Sequence, residues 1–184
     1  MNYAEIKWTD IANGEGVRIS LFVSGCTHHC FNQIAWDFNY GRPFDEEIQR
    51  EIFDKLGASY IAGLSLLGGE PLEPQNQAAL LPFVKEVRKK YPKKTIWCYT
   101  GYTLNPETGE LFEKNKNTTG YTWEEMMLET EDKLELLSLI DILVDGRFDI
   151  TKKNLMLQFR GSSNQRVLDV KKSISEKKPV LYLD

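Results

Sequence analysis

The sequence predicts an α/β protein whose parallel sheet carries its helices on the outside, and three observations predict it. Runs rich in β-branched and aromatic residues alternate with segments of helical apolar spacing. Connections between successive runs are long enough to cross over and return the chain in the same direction. The chain has 184 residues, 41% of them hydrophobic, enough to bury one core, so residues 1–184 are expected to form a single domain.

Taken in order, residues 17–25 (VRISLFVSG) are β-branched and aromatic and close on glycine, which marks a strand delivering a loop. Residues 45–57 (DEEIQREIFDKLG) begin acidic, space Ile48, Ile52, Phe53 and Leu56 as a helix does, and end on glycine. Residues 60–67 (YIAGLSLL) form an apolar run before Gly68-Gly69, as in a strand buried on both faces. Residues 75–91 give a second helix with Ala79, Leu80, Phe83, Val84 and Val87 inward. Its basic end, Lys85 and Arg88 to Lys90, suits the helix dipole. Residues 95–100 (TIWCYT) are a short strand between Pro92 and Gly101. A third helix is expected over 123–138, then a buried strand over 139–144 closed by Asp145-Gly146. Residues 102–122 break the rhythm with Asn105-Pro106, Gly109, Asn115, Asn117 and Gly120, and read as a surface insertion of hairpin type. Residues 165–170 and 179–183 add two short strands around a lysine-rich link.

The 23 Lys and Arg against 27 Asp and Glu leave a net charge of −4, which argues against a protein that binds nucleic acid through phosphates. No apolar run is long enough to cross a membrane, and residues 1–10 lack the basic-then-apolar order of a targeting segment, so the expected location is the cytoplasm. Three cysteines, an odd count with two close together, suggest reduced thiols serving as ligands rather than a disulfide framework.

Ligands of parallel sheets collect at the carboxyl ends of the strands, where loops vary while the sheet holds them. Four conspicuous sequences fall at such ends, residues 25–32, 68–71, 99–102 and 145–148, and one shared cavity is expected. Cys26 and Cys30 lie four residues apart on the first, a short loop able to curl around a metal or cluster. Alone, C-x3-C equally suits two loop thiols without a ligand. Gly68-Gly69 lets backbone carbonyls approach a ligand closely, and Glu70 beside them can accept from an ammonium; the plain alternative is a tight turn with a solvated carboxylate. Residues 13–18 (NGEGVR) lack the further glycine or Gly-Lys-Ser/Thr of a phosphate loop and read as a turn. Asp145, Gly146 and Arg147 either line the cavity mouth, meet a partner, or end the strand in an ordinary charged turn.

C-x3-C after one strand and Gly68-Gly69-Glu70-Pro71 after the next resemble the radical S-adenosylmethionine (SAM) enzymes. With residues 13–18, 97–102 (WCYTGY), 144–148 (VDGRF) and 160–166 (RGSSNQR) added, nearly the whole chain outside 102–122 resembles the glycyl-radical-enzyme activases that serve anaerobic ribonucleoside-triphosphate reductase. The resemblance implies a short, incomplete parallel (β/α) barrel of the radical SAM type and a 4Fe-4S cluster on Cys26 and Cys30. It implies SAM at Phe31, Asn32, Gly68, Gly69 and Glu70, and reductive cleavage of SAM to a 5'-deoxyadenosyl radical that leaves a glycyl radical on the reductase. An electron donor such as a flavodoxin-type protein is implied as well.

The family's C-x3-C-x2-C pattern is incomplete here. Strict spacing puts Gln33 in the third place, whereas matching Cys30-Phe31-Asn32 to the third cysteine and its followers leaves the loop three residues short. Cys98 could substitute if its face of the 95–100 strand is interior; a small buried thiol packing as a hydrophobe is the plainer expectation. His28 and His29 could ligate or simply hydrogen-bond. The shortfall keeps two other functions open: a catalytically impaired homologue that still binds the reductase, and a small zinc protein using Cys26, Cys30 and the loop histidines.

Overall fold

The computed structural model describes residues 1–28, 35–116, 123–127 and 133–183. Its elements run β1 (Asn2–Asp10), β2 (Val17–Val23), β3 (Arg42–Pro43), α1 (Glu46–Leu56), β4 (Ile61–Gly68), α2 (Pro74–Lys90), β5 (Thr95–Tyr99), β6 (Thr103–Asn105), β7 (Glu110–Lys116) and β8 (Trp123–Met127). There follow α3 (Lys133–Leu139), β9 (Ile142–Asp145), a single 3-10 turn (Ile150–Lys152), β10 (Arg166–Asp169), α4 (Val170–Glu176) and β11 (Leu181–Leu183).

Eight strands form one sheet in the order β11-β10-β9-β5-β4-β2-β1-β3. The expected parallel arrangement holds for the four central strands, β2, β4, β5 and β9. It fails at both flanks, where β1, β3, β10 and β11 join antiparallel. At β1 the cause is local: a loop of residues 11–16 is too short for a crossover, so β2 must fold back along β1. The sheet is open, ending in two residues of β3 on one side and three of β11 on the other, and the described strands close no barrel.

The first two predicted helices sit where their signals place them, and the third is confined to α3. Asp45 caps α1 by accepting from the Ile48 N–H, Glu46 and Glu47 occupy its positive end, and Lys55 its negative end. Pro74 opens α2, where its missing N–H is no loss. Two expectations need correction. Residues 123–127 form β8 rather than the start of a helix, because β7 offers them an antiparallel ladder. The insertion does turn a hairpin, with the Gly109 N–H donating to the Asn105 carbonyl (2.8 Å) and Gly109 at φ +74, but it is not purely superficial. Tyr102, Leu104 and Leu111 are buried in the main core.

That core lies between the sheet and its helices. Ile19, Leu21 and Val23 of β2, Ile96 and Cys98 of β5, and Leu143 of β9 meet Leu80, Val84 and Val87 of α2 and Leu136 and Leu137 of α3. Each such fully buried aliphatic side chain contributes roughly 1.5–3 kcal/mol. The opposite face carries a smaller cluster of Trp97, Ile142, Val144 and Val167, backed by Tyr99, Phe159 and Leu183. Arg18, Ser20 and Ser65 alternate on their strands with the helix-facing residues and are wholly buried.

Candidate active site

Because β2, β4, β5 and β9 are parallel, their carboxyl ends reach one edge, and the described parts of the four expected segments, residues 25–28, 68–71, 99–102 and 145–148, meet there. The Gly69 N–H donates to the Val23 carbonyl (2.7 Å) and the Glu70 N–H to the Gly25 carbonyl (2.8 Å), so the end of β4 is stitched to the end of β2. The Thr100 N–H donates to the Val144 carbonyl (2.9 Å) and the Gly146 N–H to the Tyr102 carbonyl (2.8 Å), which stitches β5 to β9. The glycines permit this approach. Gly68 has φ +107, and a Cβ on Gly69 would lie 2.5 Å from the Gly25 carbonyl oxygen.

Glu70 ties the halves together. It is buried, and its Oε1 accepts from the Leu72 N–H (2.9 Å) and the Thr100 hydroxyl (2.8 Å). Its Oε2 accepts from the Gly101 N–H (2.7 Å) and lies 3.0 Å from Nε2 of His28. His28, between the two motif cysteines in sequence, is thus held inside the protein, its ring edge-on to Tyr102 with centroids 4.5 Å apart. Gly101 makes room for it, since a Cβ there would stand 2.5 Å from the imidazole. Glu73 secures the preceding residue by accepting from the Thr27 backbone N–H (2.9 Å) and from the Thr27 hydroxyl. Arg147 donates to the His28 carbonyl (2.5 Å) from the β9 side. Thr27 and His28 of the cysteine loop are therefore strapped to the neighbouring strand ends.

Cys26 is buried at the start of that loop. Cys30, Phe31 and Asn32, with His29 and Gln33, lie outside the described residues. Cys98 is buried in the helix-side core, where burial first and the nearby Glu70 second push its thiol well above the ordinary range. It packs as a hydrophobe, as the plainer expectation has it. Asp145 is buried, taking the Leu104 N–H (2.9 Å) and both Nε and Nη2 of Arg166, and so closes the β9–β10 hairpin rather than ending an exposed turn.

The donors present suit an iron-sulfur cluster in chemistry and fall short in number. The cysteine loop contributes two thiols at most, and no group of three His, Cys, Asp or Glu suited to a metal ion forms among the described residues. For a polar ligand the fit is better. Ser24 Oγ and Tyr99 OH are buried without a hydrogen-bond partner among the described residues, at a cost of about 1–3 kcal/mol each unless a ligand or water meets them. Burial raises the Tyr99 phenol beyond its ordinary range, which keeps it a neutral donor. Arg18 needs no ligand: its five N–H groups donate to Ser65 Oγ, Thr95 Oγ1 and the carbonyls of Glu15, Leu64 and Thr95. Burial lowers its guanidinium to about 10, so it remains charged at neutral pH.

The 4Fe-4S single cluster domain family matches residues 12–115 and 107–168. A curated anaerobic ribonucleoside-triphosphate reductase-activating protein of Pasteurella multocida is 42% identical over 170 residues, 90% of this chain and 95% of the relative. The protein of the same name from Escherichia coli is 38% identical over 172 residues, 91% of this chain and 97% of the relative. The chain belongs to the anaerobic ribonucleoside-triphosphate reductase-activating protein family. In this activating-protein family member, sequence reasoning missed Thr27, Glu73 and Asn76, whose Nδ2 donates to the Ser24 (3.0 Å) and Glu70 (2.9 Å) carbonyls. The available signal was Glu73 itself, a second carboxylate three residues beyond Glu70 on the same connection.

Proposed function

We propose that this chain activates an anaerobic ribonucleoside-triphosphate reductase by generating a glycyl radical on it. The supporting observation is the family membership combined with a cysteine loop strapped beside Gly68-Gly69 and two buried hydroxyls, Ser24 and Tyr99, that lack a partner among the described residues. When bound, a 4Fe-4S cluster would supply the electron that splits SAM into methionine and a 5'-deoxyadenosyl radical, which takes a hydrogen atom from a backbone glycine of the reductase. Cys26 and Cys30 supply thiolates to the cluster. Gly68 and Gly69 leave space for the amino-acid end of SAM, with Phe31 and Asn32 as further contacts. Glu70, whose oxygens already meet four protein groups, holds the cysteine loop and the glycine pair at a fixed separation beside the SAM ammonium. Ser24 and Tyr99 offer hydroxyls to the polar parts of SAM, and the apolar wall of Trp97 and Val144 excludes water that would quench a radical. The setting is the cytoplasm, with a flavodoxin-type protein as electron donor.

A second reading, a homologue that binds the reductase without activating it, is favoured by one observation, the two-cysteine loop. Anaerobic reconstitution with iron and sulfide separates the two. Binding of about four irons per chain, with 5'-deoxyadenosine released on adding dithionite and SAM, is the expected result. A colourless protein that still binds the reductase would leave the second reading standing, and zinc in place of iron and sulfide would overturn both.

A further inference from the structure

The connection from β9 to β10, residues 146–165, carries an apolar tip that the fold does not use. Leu155 and Met156 are 86% and 89% exposed, and Ile150 on the same loop is also exposed. Adjacent residues of this size are seldom both turned to water without a partner. The exposure does not come from a loose loop. Lys153 bridges Ser162, the Ser163 N–H donates to the Lys152 carbonyl (3.0 Å), and the Met156 N–H donates to Asn154 Oδ1 (2.9 Å). Phe159 sits at φ +55, a left-handed conformation costing an L-residue about 1–2 kcal/mol, and turns its ring onto Trp97 at 5.1 Å. An apolar seat thus exists close by; Phe159 takes it and the tip projects.

The surroundings say what the tip meets. Between Arg147 and Arg160, four basic residues stand against the single acidic Asp149, in a chain whose net charge is −4. The loop leaves the sheet at Gly146, directly after the site, and its Arg147 holds the cysteine loop through the His28 carbonyl. The loop therefore begins at the rim of the site to which a protein substrate would present its backbone. We infer that residues 150–156 dock on the reductase, the Leu155–Met156 tip entering an apolar recess and Lys152 and Lys153 meeting an acidic rim. This rests on the functional reading above. A preformed projection suits the task, because little conformational freedom is lost when it is buried, and a few apolar residues at the centre of a contact dominate its affinity.

The test compares the reconstituted protein with a Leu155→Asp/Met156→Asp variant for binding to the immobilised reductase. Both positions are exposed, so thermal unfolding and partner-free SAM cleavage should be unchanged, while affinity for the reductase falls at least tenfold. Lys152→Glu/Lys153→Glu should weaken binding most at low salt. Unchanged affinity of the Asp variant, with the parent binding well, would overturn the docking loop and leave the functional reading intact. No binding by the parent would overturn both. Two other outcomes would also overturn the inference: binding to vesicles of phosphatidylglycerol that the Asp variant loses while keeping the reductase, or a parent dimer that the variant dissolves with reductase affinity unaffected.

Discussion

The two faces of the central sheet are built to different rules from the same strands. Toward the helices, β2 and β5 present Ile19, Leu21, Val23, Ile96 and Cys98, and packing alone explains them. On the other side the intervening positions hold Arg18, Ser20, Trp97 and Tyr99, a buried cation and hydroxyls among aromatic rings. A helix-covered face lowers free energy by excluding water; a polar face buried at similar depth raises it unless every group is met. Cys98 and Tyr99 are neighbours in sequence, yet the thiol packs in the helix-side core and the phenol on the opposite face.

The largest effect expected from disturbing that contrast is at Arg18. Arg18→Met strips five donors from buried acceptors and should cost about 3–5 kcal/mol, read as a lower urea midpoint with unchanged slope. A cost under about 1 kcal/mol would show the polar face to be wet and adaptable. Glu70→Ala comes next, at about 2–4 kcal/mol, because four groups on three strand ends lose their acceptor. Glu70→Gln should recover part of this. Cys98→Ala sharpens the comparison: it should cost about 1–2 kcal/mol with iron content after reconstitution unchanged, whereas Cys26→Ala should abolish iron binding while leaving secondary structure intact by circular dichroism.

The smallest effect expected is at Asp141. Burial opposes its ionisation, but hydrogen bonds from Arg88, the Ile96 N–H and Lys171 prevail and hold its carboxyl below the ordinary value. The stability it contributes is present above that ordinary value and drains away as pH falls through the depressed one. Asp141→Asn should therefore lower the melting temperature near neutral pH and flatten its decline on the acid side.

Much of this was legible beforehand, for reasons that differ by element. The α1 helix has its cap, charges and terminal glycine all in local sequence, and β4 announces itself by an unbroken apolar run. By contrast β1, where Ile6 and Trp8 alternate only briefly with Glu5 and Lys7, forms because β2 and β3 flank it. Residues 123–127 are a strand only because β7 is there to pair with them. At the site, Cys26 and the glycine pair could be singled out from chemistry alone. The straps could not: Thr27 to Glu73 spans 46 residues and Arg147 to His28 spans 119, and only the folded sheet brings them together.

The open edges of the sheet carry a consequence for life in a crowded solution. A strand arriving beside β3 would find two residues, one of them a proline without an N–H, and beside β11 only three. Neither of these short strands is long enough to recruit a copy of itself, and along β1 beyond Tyr3, where β3 no longer pairs, Glu5 and Lys7 set charges on the edge that discourage an incoming strand.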